Sequence, residues 1–584
     1  MNRAWWQDAV IYQVYLRSFA DGNGDGVGDL AGLRARLPYL AELGVDGLWL
    51  NPCYASPQRD HGYDIADYTS IDPSYGDMAD FEALVTDAHG LGLRVIMDMV
   101  ANHCSDQHAW FRAALAARPG SAERGRFVFR DGRGESGEMP PNNWQSVFGG
   151  PAWTRVREAD GAPGQWYLHS FDSGQPNFNW REPEVAALFD DVLRFWFDRG
   201  VDGFRIDVAH GLFTAEGLSD VPVREDGVPV HNEAMWDQPE VHEVYRSWRT
   251  IGDAHPGGPK YFIGEIWVLG LERLRPYVAP GRLHQAFNFD LLVQPWDAAR
   301  LREAIDAGVE QALAVGRPTA WVLNNHDVHR AVTRYGQEQD RSPVDPTDMI
   351  AAARRQGPVD VAVGSRRARA AAMLLLALPG TAYLYQGEEL GLPEVLDLPD
   401  SSRQDPIWVR SGGREPGRDG CRVPMPWASD APAFGFSRVP GASRALVPAE
   451  PWLPQPEWFA SYAVDRQEGR AGSFLSLYRS LLASRRRVFA GTEPLRWLDL
   501  GSDDILAFAR GHGVCVVNLG SAPVHVPEGL ADAVVAVSEG ELAEGRLAGD
   551  HAIWLDTSQV PGVSITSGWR LVPALAGNPH NDGA

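Results

Sequence analysis

Three stretches in the first 210 residues repeat one order of events: an apolar stripe at helical spacing, a glycine, then a short run of buried-type residues. Leu30, Leu33, Leu37, Leu40 and Leu43 recur every three or four positions, with Asp29 placed to cap them and Gly44 to stop them. Val45-Asp-Gly-Leu-Trp-Leu50 follows and reads as a strand. Phe81, Leu84, Val85 and Ala88 mark a second helix ending at Gly90, and Arg94-Val-Ile-Met-Asp-Met-Val100 is the strand after it. Val185, Leu188, Phe189, Val192, Leu193 and Trp196 form a third stripe between Pro183 and Gly200, leading into Val201-Asp-Gly-Phe-Arg-Ile206. The tetrapeptide Gly-Val-Asp-Gly stands at both helix-to-strand joints, at 44–47 and 200–203.

Helices alternating with buried strands predict a parallel sheet. Further strands are expected at 10–15, 261–263, 285–289, 320–323 and 381–385, which brings the number to that of a closed barrel. An open doubly wound sheet is the competing arrangement, and no glycine-rich dinucleotide loop follows the first strand to support it. Two stretches break the rhythm. Residues 104–172 are rich in Gly, Pro and Arg and read as an inserted subdomain after the third strand; about 393–470 reads as an irregular insertion after the eighth. From about 488 the pattern becomes short alternating strands, as in Ile505-Leu-Ala-Phe-Ala509. The expected fold is therefore an α/β (β/α)8 TIM barrel over 1–103 and 173–487, with subdomain 104–172 inserted and an antiparallel β-sandwich over 488–584.

Composition agrees with a large globular protein. The 584 residues are 44% hydrophobic and 22% charged, ordinary for a globular chain. A net charge of −24 leaves no basic surface for a phosphate backbone, so no nucleic acid partner is expected. The longest apolar run, 371–385, is too short for a bilayer and contains Pro379 and Gly380, so no membrane association is expected either. No signal peptide stands at the start, and Cys53, Cys104, Cys421 and Cys515 lack metal or redox spacing. A cytoplasmic protein with reduced thiols is the expectation, as a monomer or a homo-oligomer.

Barrel active sites lie at the C-terminal ends of the strands. There the third strand carries Asp98, Asn102 and His103; the fourth Arg205, Asp207 and His210; the fifth Glu265 and Trp267; the seventh Asn324-Asn-His-Asp327. Arg205 and Asp207 are two apart on one strand and point the same way. The guanidinium is expected to hold that carboxylate ionised and lower its pKa. Any one of these carboxylates is a capping or salt-bridge group in isolation; the same pattern on successive strands is not.

Residues 98–103, 203–210, 264–267 and 324–327 resemble, in order, the four signature regions of the α-amylase family of retaining glycoside hydrolases. Gln175-Pro-Asn-Phe-Asn179 resembles the fifth in its oligo-1,6-glucosidase and α-glucosidase form, and the resemblance covers roughly 5–490. It implies Asp207 as nucleophile, Glu265 as general acid/base and Asp327 as transition-state stabiliser, with His103 and His326 donating to the same sugar and Arg330 orienting carboxylates. Asp60-His-Gly-Tyr-Asp64 resembles the sugar-binding loop, with Tyr63 offering a stacking ring; Phe171 matches an aromatic wall. Arg422 matches the arginine that pairs with that loop's Asp, so an Asp60–Arg422 pair is expected to close the pocket and impose exo-action. Val208 leans toward α-1,6 linkages in this branch, but Ala209-His210-Gly211 depart from its usual form and leave the linkage open.

Asp21-Gly-Asn-Gly-Asp-Gly-Val-Gly-Asp29 spaces oxygen donors at alternate positions. The resemblance implies a structural Ca²⁺ there, on Asp21, Asn23, Asp25, the Val27 carbonyl and Asp29. The function expected is an exo-acting retaining α-glucosidase acting on small oligosaccharides or disaccharides. A disaccharide isomerase or transglucosidase of the trehalose synthase or sucrose isomerase type is the alternative. A non-catalytic relative associated with a transporter is remote, because the three carboxylates are present and no membrane helix is.

Overall fold

The computed structural model describes residues 4–158, 160–223, 232–268, 270–342, 349–437, 449–489, 494–560 and 569–572. Eight parallel strands close into a barrel in sequence order: β1 (Val10–Val14), β2 (Gly47–Leu50), β3 (Arg94–Val100), β4 (Gly203–Asp207), β5 (Tyr261–Gly264), β6 (Gln285–Asn288), β7 (Ala320–Val322) and β8 (Thr381–Tyr385). Each of the eight barrel-strand readings of the sequence falls on one of these, within two residues at each end.

The helix signals act as read. α1 (Leu30–Leu43) starts with the Asp29 carboxylate accepting the Gly32 N–H at 2.6 Å and stops at Gly44, whose φ of 94° is left-handed. α2 (Met78–Gly90) opens with a reciprocal Asp77–Asp80 capping box. α3 (Pro183–Phe197) has proline in its first turn. Their apolar stripes pack with the outward faces of the strands in one large core. The barrel lumen is filled by Ile11, Trp49, Ile96, Ile263, Phe287, Val322 and Tyr383.

The repeated Gly-Val-Asp-Gly has one physical purpose at both joints. Its Asp takes an N–H at the start of the neighbouring strand: Asp46 accepts from Val10 at 2.8 Å and Asp202 from Val95 at 2.9 Å. Its last Gly opens the strand where the next backbone runs close. A Cβ on Gly203 would lie 2.3 Å from the Tyr261 carbonyl oxygen.

Within the 104–172 stretch, Phe129–Arg130, Pro163–Leu168 and Trp153–Arg157 form a small antiparallel sheet in that order. The C-terminal region is antiparallel, in a sheet of β9 (Arg496–Asp499), β10 (Ile505–Arg510), β11 (Gly513–Asn518), β12 (Val534–Val537), β13 (His551–Asp556) and β14 (Arg570–Leu571). Its second layer is slighter than a full sheet: a two-stranded ribbon, 524–525 with 546–547, whose Leu547 joins Val516 and Ile553 in one core. The other face sits on the barrel, where Trp554 Nε1 donates to the Met373 carbonyl at 3.1 Å. Residues 438–448 of the expected insertion and 573–584 of the expected terminal domain lie outside the described residues. Among the described residues, no helix is long and apolar enough to cross a membrane.

Gly203→Ala is expected to destabilise the protein by about 1–3 kcal/mol, since the methyl would meet backbone rather than a movable side chain. Urea unfolding of the variant beside wild type measures it.

Candidate active site

Register places the acidic residues together before any side chain is considered. Asp98 on β3 lies opposite Arg205 on β4, and Val100 opposite Asp207. Arg205 is buried and reaches three carboxylates. Its Nη1 donates to Asp98 Oδ1 at 2.6 Å and Asp207 Oδ1 at 2.7 Å, and its Nη2 lies 2.8 Å from Glu265 Oε2. Asp98 is held from the other side by Trp49 Nε1 and the Tyr63 hydroxyl, each donating at 3.0 Å.

Glu265 takes two further donors: Trp267 Nε1 at 3.0 Å and the Val208 N–H at 3.1 Å. Val208 reaches it from a φ of 44°, a left-handed conformation that a β-branched side chain strains to adopt. The residue after Asp207 is therefore bent so that its amide faces Glu265.

Arg205 does pull the Asp207 pKa down, as expected, but the expected net direction is corrected. Burial pushes the Asp207 carboxyl well up, and Glu265, Asp98 and Asp327 add to it against the pull of Arg205. Sequence shows the nearest cation; it does not show the burial or three neighbouring acids. Burial also lifts Asp98 to about 6 despite Arg205. Asp327 goes the other way. Burial opposes its ionisation, yet His326, Arg418 and Arg422 hold its carboxyl well below the usual range.

The expected Asp60–Arg422 pair is also corrected. Asp60 Oδ1 pairs with Arg418 Nη2 at 2.8 Å, while Arg422 Nη2 lies 3.2 Å from Asp327 Oδ1 and its Nε donates to the His326 carbonyl at 2.9 Å. Arg418 also reaches Asp327 Oδ1 at 3.1 Å and Asp405 Oδ2 at 2.7 Å. The two arginines are four residues apart in Arg418-Asp-Gly-Cys-Arg422, so the right segment was legible but not which guanidinium reached which acid. Nothing local singled out Asp405, which caps the short helix α4 (Pro406–Arg410) and binds Arg418. Arg330 does not orient the catalytic acids: its Nη1 and Nη2 donate to the carbonyls of Gln386 and Cys421, at 2.9 and 2.8 Å, and so pin two loops.

A cavity of about 270 Å³ opens over these groups. Asp60, Tyr63, His103, Phe171, Asp207, Glu265, His326 and Asp327 line it, which brings together the expected catalytic and sugar-binding residues except Arg205 and Arg422, and those two stand behind the lining. Tyr63 lies parallel to His326, ring centres 5.4 Å apart, and its hydroxyl bonds His326 Nε2 at 2.8 Å. Gln13 donates to His326 Nδ1 at 2.7 Å, which leaves the ring proton on Nε2, 3.3 Å from Asp327 Oδ2. Burial lowers His103 to about 4, so it is neutral at pH 7. Gln175, from the fifth signature, donates to Asp60 Oδ2 at 3.0 Å and lies 3.1 Å from His103 Nε2. Phe148, Trp236 and Arg354 also line the cavity and had no sequence signal as site residues.

The 21–29 loop winds on itself. Asp21 accepts the N–H groups of Asn23, Gly24 and Gly26, Asn23 that of Asp25, and Asp25 that of Val27. Asp29 accepts from Gly22, Asn23 and Gly32. Among the described residues no three His, Cys, Asp or Glu side chains form a metal-holding group. Asp21, Asp25 and Asp29 are themselves three carboxylates, so the loop's expected donors do not converge on one point as they stand; Asp21 Oδ1 and Asp29 Oδ2 each accept two of the loop's own N–H groups. Oxygen donors are nevertheless the kind of ligand that Ca²⁺ takes.

The α-amylase catalytic-domain family (Alpha amylase, catalytic domain) matches residues 13–491. A probable α-glucosidase of Rhizobium meliloti is 36% identical over 542 residues, covering 89% of this chain and 90% of the relative. An oligo-1,6-glucosidase of Saccharomyces cerevisiae is 31% identical over 554 residues, covering 87% and 89%. The crystal structure of an α-glucosyl transfer enzyme, XgtA, superposes with a TM-score of 0.79 at 36% identity, covering 95% of this chain and 99% of that one. With a family match over most of its length and relatives of this identity, the chain belongs to the α-amylase family of glycoside hydrolases.

Proposed function

We propose that the protein is an exo-acting, retaining α-glucosidase that releases terminal α-glucose from small oligosaccharides or disaccharides. One observation carries the mechanism: Asp207 and Glu265 are bound by the two ends of one guanidinium. That supports the short carboxyl separation of retaining enzymes, about 5–5.5 Å, over the 6.5–9.5 Å or so that an inverting water needs. Asp207 attacks the anomeric carbon and forms a glucosyl ester while Glu265 protonates the departing oxygen. Glu265 then takes a proton from the water that cleaves the ester. Asp327, held ionised by its cationic neighbours, bonds the sugar hydroxyls and stabilises the developing oxocarbenium charge. The Asp60–Arg418 pair closes the inner end of the pocket, which favours one terminal glucose over the middle of a chain.

Transfer of the glucosyl group to a sugar hydroxyl instead of water is the second reading, favoured by the likeness to the α-glucosyl transfer enzyme. We further propose a structural Ca²⁺ on the 21–29 loop, held by Asp21, Asn23, Asp25, the Val27 carbonyl and Asp29, where it would stiffen the entry to α1 without entering the chemistry. A cytoplasmic location is in keeping with four buried free cysteines.

Asp207→Asn should lower kcat by about 10⁴-fold or more. Product analysis of wild type with maltose, isomaltose, sucrose and trehalose should give free glucose; dominant disaccharide isomers would overturn hydrolysis as the main activity. Asp207 must be ionised to attack, and its folded pKa is raised, so its proton leaves later as pH rises. The acidic limb of kcat/KM should therefore lie above the ordinary aspartate value of about 3.9; a pH–rate profile with a limb at or below pH 4 contradicts this. Chelator-stripped protein should gain thermal stability on adding Ca²⁺, about 2.7 kcal/mol at a hundredfold excess over Kd. Calorimetric scans of wild type and Asp21→Ala measure it, and an equal rise in the variant would remove the ion from this loop.

A further inference from the structure

We propose that Arg410 is a positioning residue: it latches the 146–150 loop of the inserted segment across the pocket mouth and so sets how tightly the terminal glucose is held. The proposal rests on the glucosidase reading above.

Arg410 ends α4, and its Nε and Nη2 donate to the Gly149 carbonyl at 2.9 and 2.7 Å. Nη2 is also 3.4 Å from the Pro151 carbonyl, and Nη1 is 3.6 Å from Asp172 Oδ2. The Arg410 side chain is only 16% exposed, but Gly149 and Pro151 lie at the surface, so the latch consists of charge-assisted hydrogen bonds at the pocket rim and not of buried contacts. The loop is a tight turn. Ser146 N–H donates to the Gly150 carbonyl at 2.8 Å and Gly149 N–H to the Ser146 carbonyl at 2.9 Å, with Gly149 and Gly150 both left-handed at φ 90° and 75°. This turn sets Val147 and Phe148 on the cavity wall.

The contacts form a closed circuit. Asp405 caps the start of α4 and binds Arg418. The Arg418 guanidinium lies over the Phe148 ring, 4.9 Å from its centre, while its Nη2 pairs with Asp60. Phe148 adjoins Gly149, and Gly149 accepts from Arg410 at the other end of α4. One short helix thus fixes the arginine at the inner end of the pocket and, through Arg410, the aromatic residue beside it. The two walls come from chain segments 261 residues apart, which backbone geometry alone does not hold in register. Arg410 touches none of the catalytic carboxylates, so its effect falls on binding through Phe148 and not on the bond-breaking step.

The test is a double-mutant cycle of Arg410→Ala and Phe148→Ala, read with nitrophenyl α-glucoside. Arg410→Ala should raise KM about tenfold with kcat within about twofold of wild type. Its melting temperature should be unchanged, and the double variant should bind no worse than Phe148→Ala alone. Additive effects, or an unchanged KM in a normally melting variant, overturn the latch. Arg410→Gln, which keeps one donor on a shorter side chain, covers a folding defect in the alanine variant; a wild-type KM in it also overturns the proposal. If wild type releases no glucose from any α-glucoside, the glucosidase reading fails by itself. The latch is then read from glucose binding by calorimetry, where Arg410→Ala should weaken Kd about tenfold and a wild-type Kd overturns it.

Discussion

The site depends on one buried guanidinium shared among three carboxylates. Asp98, Asp207 and Glu265 come from three adjacent strands, and without a cation among them their charges could not stand so close in a buried pocket. Arg205 does more than neutralise. Its planar fork fixes the direction of each acid, and Trp49, 5.0 Å from the guanidinium, backs it with an aromatic face. Bringing such a group out of water is costly, and the acids and the ring together offset that cost.

A second charge system lies opposite. Arg418 and Arg422 hold Asp327, and Arg418 ties Asp60 and Asp405 as well. The two systems push their acids apart: Asp207 upward, under burial and its acidic neighbours, and Asp327 downward, under its cations. Separation of this kind between neighbouring acids lets chemically similar side chains take different roles in one pocket. Around both, neutral His103 and His326 supply hydrogen-bond partners without adding positive charge.

The barrel was legible because its cause is periodic. Helical stripes end in glycines that must turn left-handed, as Gly44 and Gly200 do, and the strands between are apolar on both faces. The repeated Gly-Val-Asp-Gly was visible as a repeat, but its purpose was not: Asp46 and Asp202 take N–H groups from strands that sequence does not show to be adjacent. The terminal region read as alternating strands, yet its unequal layers follow from one face being covered by the barrel.

For the site, the sequence by itself determined which residues arrive at the strand ends, because alternation on a strand and order around a barrel are local rules. Asp207, Glu265 and Asp327 needed nothing more. Tertiary structure alone decided the partners of long, flexible side chains: Arg418 and not Arg422 reaches Asp60, and Arg330 binds carbonyls instead of acids. It also decided the sign of the Asp207 shift. A charge partner two residues away is written in the sequence, whereas burial and the acids brought in from other strands exist only once the barrel closes.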